Sequence, residues 1–256
     1  MDFIKFDPAE FDLFEGITSI STIIASIEDN LTDRKIIKVL YNKDKKKSKY
    51  NELKFLEIKS AELGFEMIGV SHSEIDSLAQ GKTHGGIVAL CTKKPLSALS
   101  VDAIVNDGFY VVLEGIEDPY NFAHAIRALY AAGVNGVIVP SDRFENAQGL
   151  ICKASAGTSE LIGIYTSDTL DAIDMFKSKN YKIVSAGIRD SVSLYDADMK
   201  KPILLIVGGE KRGISNTVLE RSDSIVRIEY AKTFRGSLPA STAATVLSYE
   251  IYRQNK

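Results

Sequence analysis

Apolar positions over the first third of the chain follow two alternating rhythms. Residues 17–27, 51–63 and 74–78 carry them at helical spacing, whereas 35–41, 66–70 and 86–91 read as short strands, which predicts a compact α/β unit. The stretch 93–106 has no such rhythm, contains Pro95, and reads as a boundary. Beyond it the character changes. Residues 108–113, 136–139, 161–165, 182–186, 203–207 and 224–228 are near-continuous apolar runs, as strands buried on both faces require, and 122–132, 169–179 and 240–253 have helical length. The expected fold class is α/β: a parallel sheet with helices on both faces, preceded by a smaller α/β domain. The expected boundaries are 1–94, a linker over 95–106, and 107–256. Ligands of such sheets gather beyond the carboxyl ends of strands, so the loops after Leu113, Val207 and Ile228 are where chemistry is expected.

Composition narrows this picture. The 256 residues are 45% hydrophobic and 25% charged, enough to bury a sizeable core, and no apolar run approaches the length of a membrane span. The acidic start lacks the order of a secretory signal, so a cytoplasmic location is expected. Cys91 and Cys152 lie far apart in apolar surroundings, which predicts buried thiols and excludes both a disulfide framework and a paired-cysteine zinc site. A formal charge of -3 argues against a wholly basic nucleic-acid binder. The distribution is uneven, however. Residues 1–29 hold one lysine against seven acids, net -6, and residues 30–60 hold ten basic residues against four acids, net +6. That basic stretch is either a solvated face or a surface for an anionic partner.

Each of the three loops carries a candidate. After Leu113, Asn121 is placed as the cap of a helix on which Phe122, Ile126 and Leu129 form the apolar stripe and Arg127 lies off it among small alanines. After Val207, Gly208 and Gly213 have phosphate-loop spacing, but Ile214 stands where that loop needs lysine, and no dinucleotide signature is present. What remains is a flexible backbone containing one acid, Glu210. After Ile228, Pro239 suits the first position of a helix rich in Ala, Ser and Thr, whose small residues permit close packing.

In this order the three loops resemble the three motifs of the SpoU (TrmH) family of RNA ribose methyltransferases, part of the SPOUT superfamily. Asp118, Pro119, Asn121, Arg127 and residues 131–137 match the first motif. Val207, Gly208, Glu210, Gly213 and Ser215 match the second; Ser237, Leu238, Tyr249 and Glu250 match the third. Residues 153–157, Lys-Ala-Ser-Ala-Gly, also resemble the family. The first half is similar to the small substrate-binding domain often fused ahead of the catalytic one, best at 81–89, where His84 opens a strand.

The resemblance implies an enzyme that methylates a ribose 2′-hydroxyl in structured RNA, ribosomal RNA ahead of transfer RNA. It implies S-adenosyl-L-methionine as cofactor, a carboxyl-terminal trefoil knot, a homodimer and no metal. Catalytic roles fall on Arg127, Asn121, Glu210 and Ser237, and cofactor binding on the backbone at Gly208, Ile228 and Leu238. Arg34, Lys45, Lys46, Lys47 and Arg235 become candidate RNA contacts. The sequence departs from the pattern at Pro239, where the third motif usually has Asn; a proline side chain makes no hydrogen bond. Either Ser241 or Thr242 takes over that contact, or the chain binds RNA with weak or no methyl transfer.

Overall fold

The computed structural model describes residues 7–140, 144–209, 211–234 and 236–256, which form two compact units. The first runs to Pro95 and takes back Phe144–Leu161; the second begins at Leu96 and resumes at Ile162. The expectation that 107–256 folds as one domain is corrected at 144–161, which packs with the amino-terminal unit. There Arg34 holds Gln148 and Glu160, and Lys153 pairs with the buried Glu15.

In the first unit β1 (Phe11–Glu15) leads into α1 (Gly16–Glu28), β2 (Ile36–Asn42), α2 (Tyr50–Leu63), β3 (Glu66–Val70), α3 (His72–Leu78) and β4 (Ile87–Thr92). The sheet order is β1-β4-β2-β3, with β2 and β3 parallel and the other pairs antiparallel. Its second strand from the edge, β4, is buried along most of its length. Phe14, Ile20, Ile23, Val39, Leu56, Ala89, Cys91 and Cys152 share one core. Both thiols are free, and burial pushes them above the ordinary cysteine range. The apolar spacing of α1 and α2 sets which faces turn inward; α3 starts where it does because Ser71 and Glu74 form a capping box.

The second unit contains β5 (Ser97–Ala98), β6 (Phe109–Glu114), α4 (Pro119–Ala131) and β7 (Gly136–Val139). The chain then passes through α5 (Gln148–Ala154) in the first unit before β8 (Gly163–Thr166), α6 (Thr169–Ser178), β9 (Lys182–Ala186) and β10 (Val192–Ser193). It closes with β11 (Ile203–Gly208), α7 (Asn216–Glu220), β12 (Ser224–Arg227) and α8 (Ala240–Gln254). The eight strands are all parallel, in the order β10-β12-β9-β11-β6-β7-β8-β5. Alternation along the strands explains the two apolar faces. Tyr110, Val112, Ile138, Leu204 and Ile206 pack with Ala172, Ile173 and Phe176 of α6, whereas Phe109, Val111 and Leu113 are buried on the opposite side, and α8 packs on β11 and α4. Late in the chain, β11 lies between β6 and β9, both formed earlier. Among the described residues no helix is long and apolar enough to cross a membrane.

Candidate functional site

The carboxyl edge of the parallel sheet gathers the loops that the sequence singled out. Gly208 closes β11 and is paired in register with Glu114, which closes β6. The two loops that leave these strands touch through bare backbone. A Cβ on Gly209 would fall 2.2 Å from the Gly115 carbonyl oxygen, and one on Gly208 would fall 2.5 Å from the carbonyl carbon of Gly213. Real side chains never come that close, so both positions require glycine. The turn folds back on itself through the Gly213 N–H, which donates to the Gly209 carbonyl at 3.0 Å. Lys211 also pairs with Glu117 across the two loops. Ser215 caps α7 by accepting from the Val218 N–H.

Loop geometry corrects the expected start of α4. Asp118, not Asn121, is the cap: its side chain accepts from the Asn121 N–H at 2.8 Å, and Pro119 fills the first turn, where no N–H is needed. Asn121 is thereby released from capping, and its half-buried carboxamide has no partner among the described residues. Arg127 is exposed two turns into the same helix and likewise has no carboxylate partner among the described residues. α4 packs against α8, so the helix bearing Arg127 touches the one that follows Ser237 and Leu238.

Ile228 lies half-buried just beyond β12. Ser237 is exposed, and the Leu238 N–H donates to the Tyr230 hydroxyl at 3.2 Å, which ties the loop back toward the sheet. Pro239 stands one position before its expected place, as the residue preceding α8. Ser241 is buried, whereas Thr242 is exposed, so of these two Thr242 keeps the open hydroxyl near the position the family pattern gives to Asn. Glu250 turns inward and is held below the ordinary carboxylate range by its bonds to Arg253. Glu210 and Arg235 lie outside the described residues.

Sequence reasoning missed Glu114. Its Oε2 is buried without a hydrogen-bond partner among the described residues, and burial, helped by the Asp168 carboxylate, pushes the group above the ordinary glutamate range. The available signal was an acid ending an otherwise apolar strand.

One expected RNA contact is contradicted. The Arg34 side chain is 0% exposed, 3.2 Å from both Asp12 Oδ2 and Glu160 Oε2, bonded to the Thr92 carbonyl and Gln148, and stacked over Phe14. It cannot reach a phosphate, because its charge is consumed inside the first unit. Lys49 and Lys59 are paired with Glu52 and with Glu28 and Glu62. Lys45, Lys46 and Lys47 stand exposed at the tip after β2, without ion pairs among the described residues. His84 is buried. Its Nδ1 accepts the Gly86 N–H at 3.0 Å, which leaves the proton on Nε2 to bond Asp76 at 2.8 Å. His72 adds a third possible ligand beside them, yet in this protonation state His84 Nε2 has no lone pair to offer an ion.

Comparison with known proteins gives one consistent answer. The family described as the SpoU rRNA Methylase family matches residues 108–249. A 23S rRNA (guanosine-2′-O-)-methyltransferase RlmB of Ralstonia nicotianae is 30% identical over 204 residues, 77% of this chain and 81% of that protein. The RlmB of Xylella fastidiosa is 28% identical over 248 residues, covering 94% of this chain and 96% of its own length. Among solved structures, the SpoU methyltransferase AviRb from Streptomyces viridochromogenes, in complex with the cofactor AdoMet, has a TM-score of 0.78. It is 22% identical, with 96% of this chain and 91% of that one covered, and so shows a shared fold.

Proposed function

The chain belongs to the SpoU rRNA methylase family, and from that premise we propose that it transfers a methyl group from S-adenosylmethionine to a ribose 2′-hydroxyl of ribosomal RNA. The observation that carries this reading is the convergence of Gly115, Gly208 and Gly209 at one carboxyl edge, where backbone groups stand free of side chains. A nucleoside cofactor held by main-chain donors and acceptors needs that surface, and the residues present fit it.

The cofactor supplies an activated methyl group on a positively charged sulfur. The chain supplies position and charge. Backbone at Gly208, Ile228 and Leu238 holds the cofactor; Leu238 can exchange its bond to the Tyr230 hydroxyl for one to the ligand. The guanidinium of Arg127 donates hydrogen bonds without accepting one, so it clamps the ribose phosphate and offsets the negative charge that develops on the 2′-oxygen. The proton leaves to water or a phosphate oxygen. Asn121, free of capping duty, orients the ribose or Arg127, and Ser237 lines the same edge. Glu210 is assigned to organising the second loop or a partner arginine, and Arg235 to a phosphate contact.

Three further elements belong to the proposal. The insertion of β11 between β6 and β9 suits a chain threaded into a trefoil knot. Tyr130 on α4 and Tyr249 and Tyr252 on α8 leave exposed rings on two packed helices, which suits a face for a second copy. The first unit serves as the RNA-binding domain, with Lys45, Lys46 and Lys47 on the phosphate backbone. A cytoplasmic enzyme follows from a ribosomal substrate.

Ribose-methylation mapping of ribosomal and transfer RNA from cells with and without the protein tests the reading. One mark that disappears with the protein and returns with the intact gene supports it. An unchanged map, together with cofactor binding, favours the RNA-binding alternative in which Pro239 has cost the activity.

A further inference from the structure

We infer that Glu114 is an additional ligand-binding residue: its carboxyl accepts a hydrogen bond from a donor on the nucleoside part of the bound cofactor. The inference rests on the methyltransferase reading above. Glu114 continues the stripe of Tyr110 and Val112 that faces α6. Its register partner on β11 is Gly208, and residues paired across parallel strands point to the same side. Over Gly208 on that side lies the backbone of Gly213 and Ile214, 2.5–2.8 Å from where a Cβ would stand. The Glu114 side chain therefore stands beside the folded-back turn that begins at Gly208.

Two buried polar atoms in this corner have no partner among the described residues, Glu114 Oε2 and Thr169 Oγ1. Thr169 opens α6 and is 4% exposed, next to the capping Asp168, whose charge reaches Glu114. Among the described residues, the strand ends on either side of Glu114, Gly208 and Val139, carry no charge. Folded chains satisfy nearly all of their buried polar atoms, and an orphan costs free energy unless something else supplies its bond. An acceptor flanked by a second acid repels phosphate and carboxylate groups and attracts hydroxyl or amino donors. Ribose hydroxyls and the adenine amino group are such donors. The corner adjoins the glycines assigned to the same ligand.

The test is calorimetric titration of the full chain with S-adenosylhomocysteine and with methylthioadenosine, which lacks the amino-acid part. Glu114→Ala is expected to weaken both ligands by about ten- to hundredfold, as loss of a hydrogen bond to a charged group does. Glu114→Gln, whose amide oxygen still accepts, is expected to restore most of that affinity. Neither variant is expected to lower the melting temperature of the ligand-free protein, because Ala removes the unpartnered buried Oε2 and Gln replaces an ionisable group there with a neutral one. Unchanged affinity in Glu114→Ala overturns the inference, and so does a loss confined to S-adenosylhomocysteine, which places the donor on the amino-acid part. Failure of the unaltered protein to bind either ligand overturns the methyltransferase reading instead.

Discussion

Arg34→Met removes the positive centre of a buried cluster and leaves the carboxylates of Asp12 and Glu160 facing each other, each previously 3.2 Å from the guanidinium. The Thr92 carbonyl and Gln148 lose a donor at the same time. Breaking a buried pair in this way costs about 3–5 kcal/mol, a large share of the ~5–15 kcal/mol that holds a typical domain together. The loss has a pH signature. The Asp12 carboxyl already titrates above its ordinary value, because burial outweighs the bond and charge of Arg34. A folded pKa above the unfolded one gives stability that is present at low pH and lost as pH rises through the folded value. Without Arg34 the Asp12 pKa rises further, so the deficit of the variant is greatest at neutral pH and narrows as the pH falls and Asp12 takes up a proton. Urea unfolding of wild type and variant at several pH values measures this. Adding Asp12→Asn and Glu160→Gln to Arg34→Met is expected to recover most of the loss, since no unpaired charge remains. A neutral-pH deficit below about 1 kcal/mol, or one that does not vary with pH, refutes the reasoning.

Gly209→Ala forces a Cβ to within 2.2 Å of the Gly115 carbonyl, so the two loops must part; cofactor affinity is expected to fall by at least about tenfold, while far-UV circular dichroism is retained. Replacing Lys45, Lys46 and Lys47 with alanine is expected to weaken RNA binding uniformly across sequences and to reduce the slope of log affinity against log salt by about 3, with cofactor affinity unchanged in titration. Arg127→Lys keeps the charge but not the planar fork, and methyl transfer at neutral pH is expected to fall by about a hundredfold while cofactor binding persists; full activity would remove the need for a guanidinium.

The parallel sheet was legible because its strands are buried on both faces: β6 and β11 each carry five buried residues in six, which leaves a continuous apolar run in the sequence. What escaped the sequence depended on neighbours distant along the chain. β1 reads as an acidic, broken segment, and becomes a strand only because β4 offers an antiparallel edge to Phe11–Glu15. Arg34 sits in a run of basic residues that looks solvated throughout; its partner Glu160 is 126 residues away, and only folding reveals that this one charge is spent inside. At α4 two caps competed within four residues, and the proline decided between them, since Asp118-Pro119 starts the helix where a missing N–H costs nothing. That outcome bears on function more than the others. Had Asn121 capped the helix, its carboxamide would be bound to the backbone of its own first turn; with Asp118 in that role, the carboxamide has no partner among the described residues, as the proposed contact with the ribose or Arg127 requires.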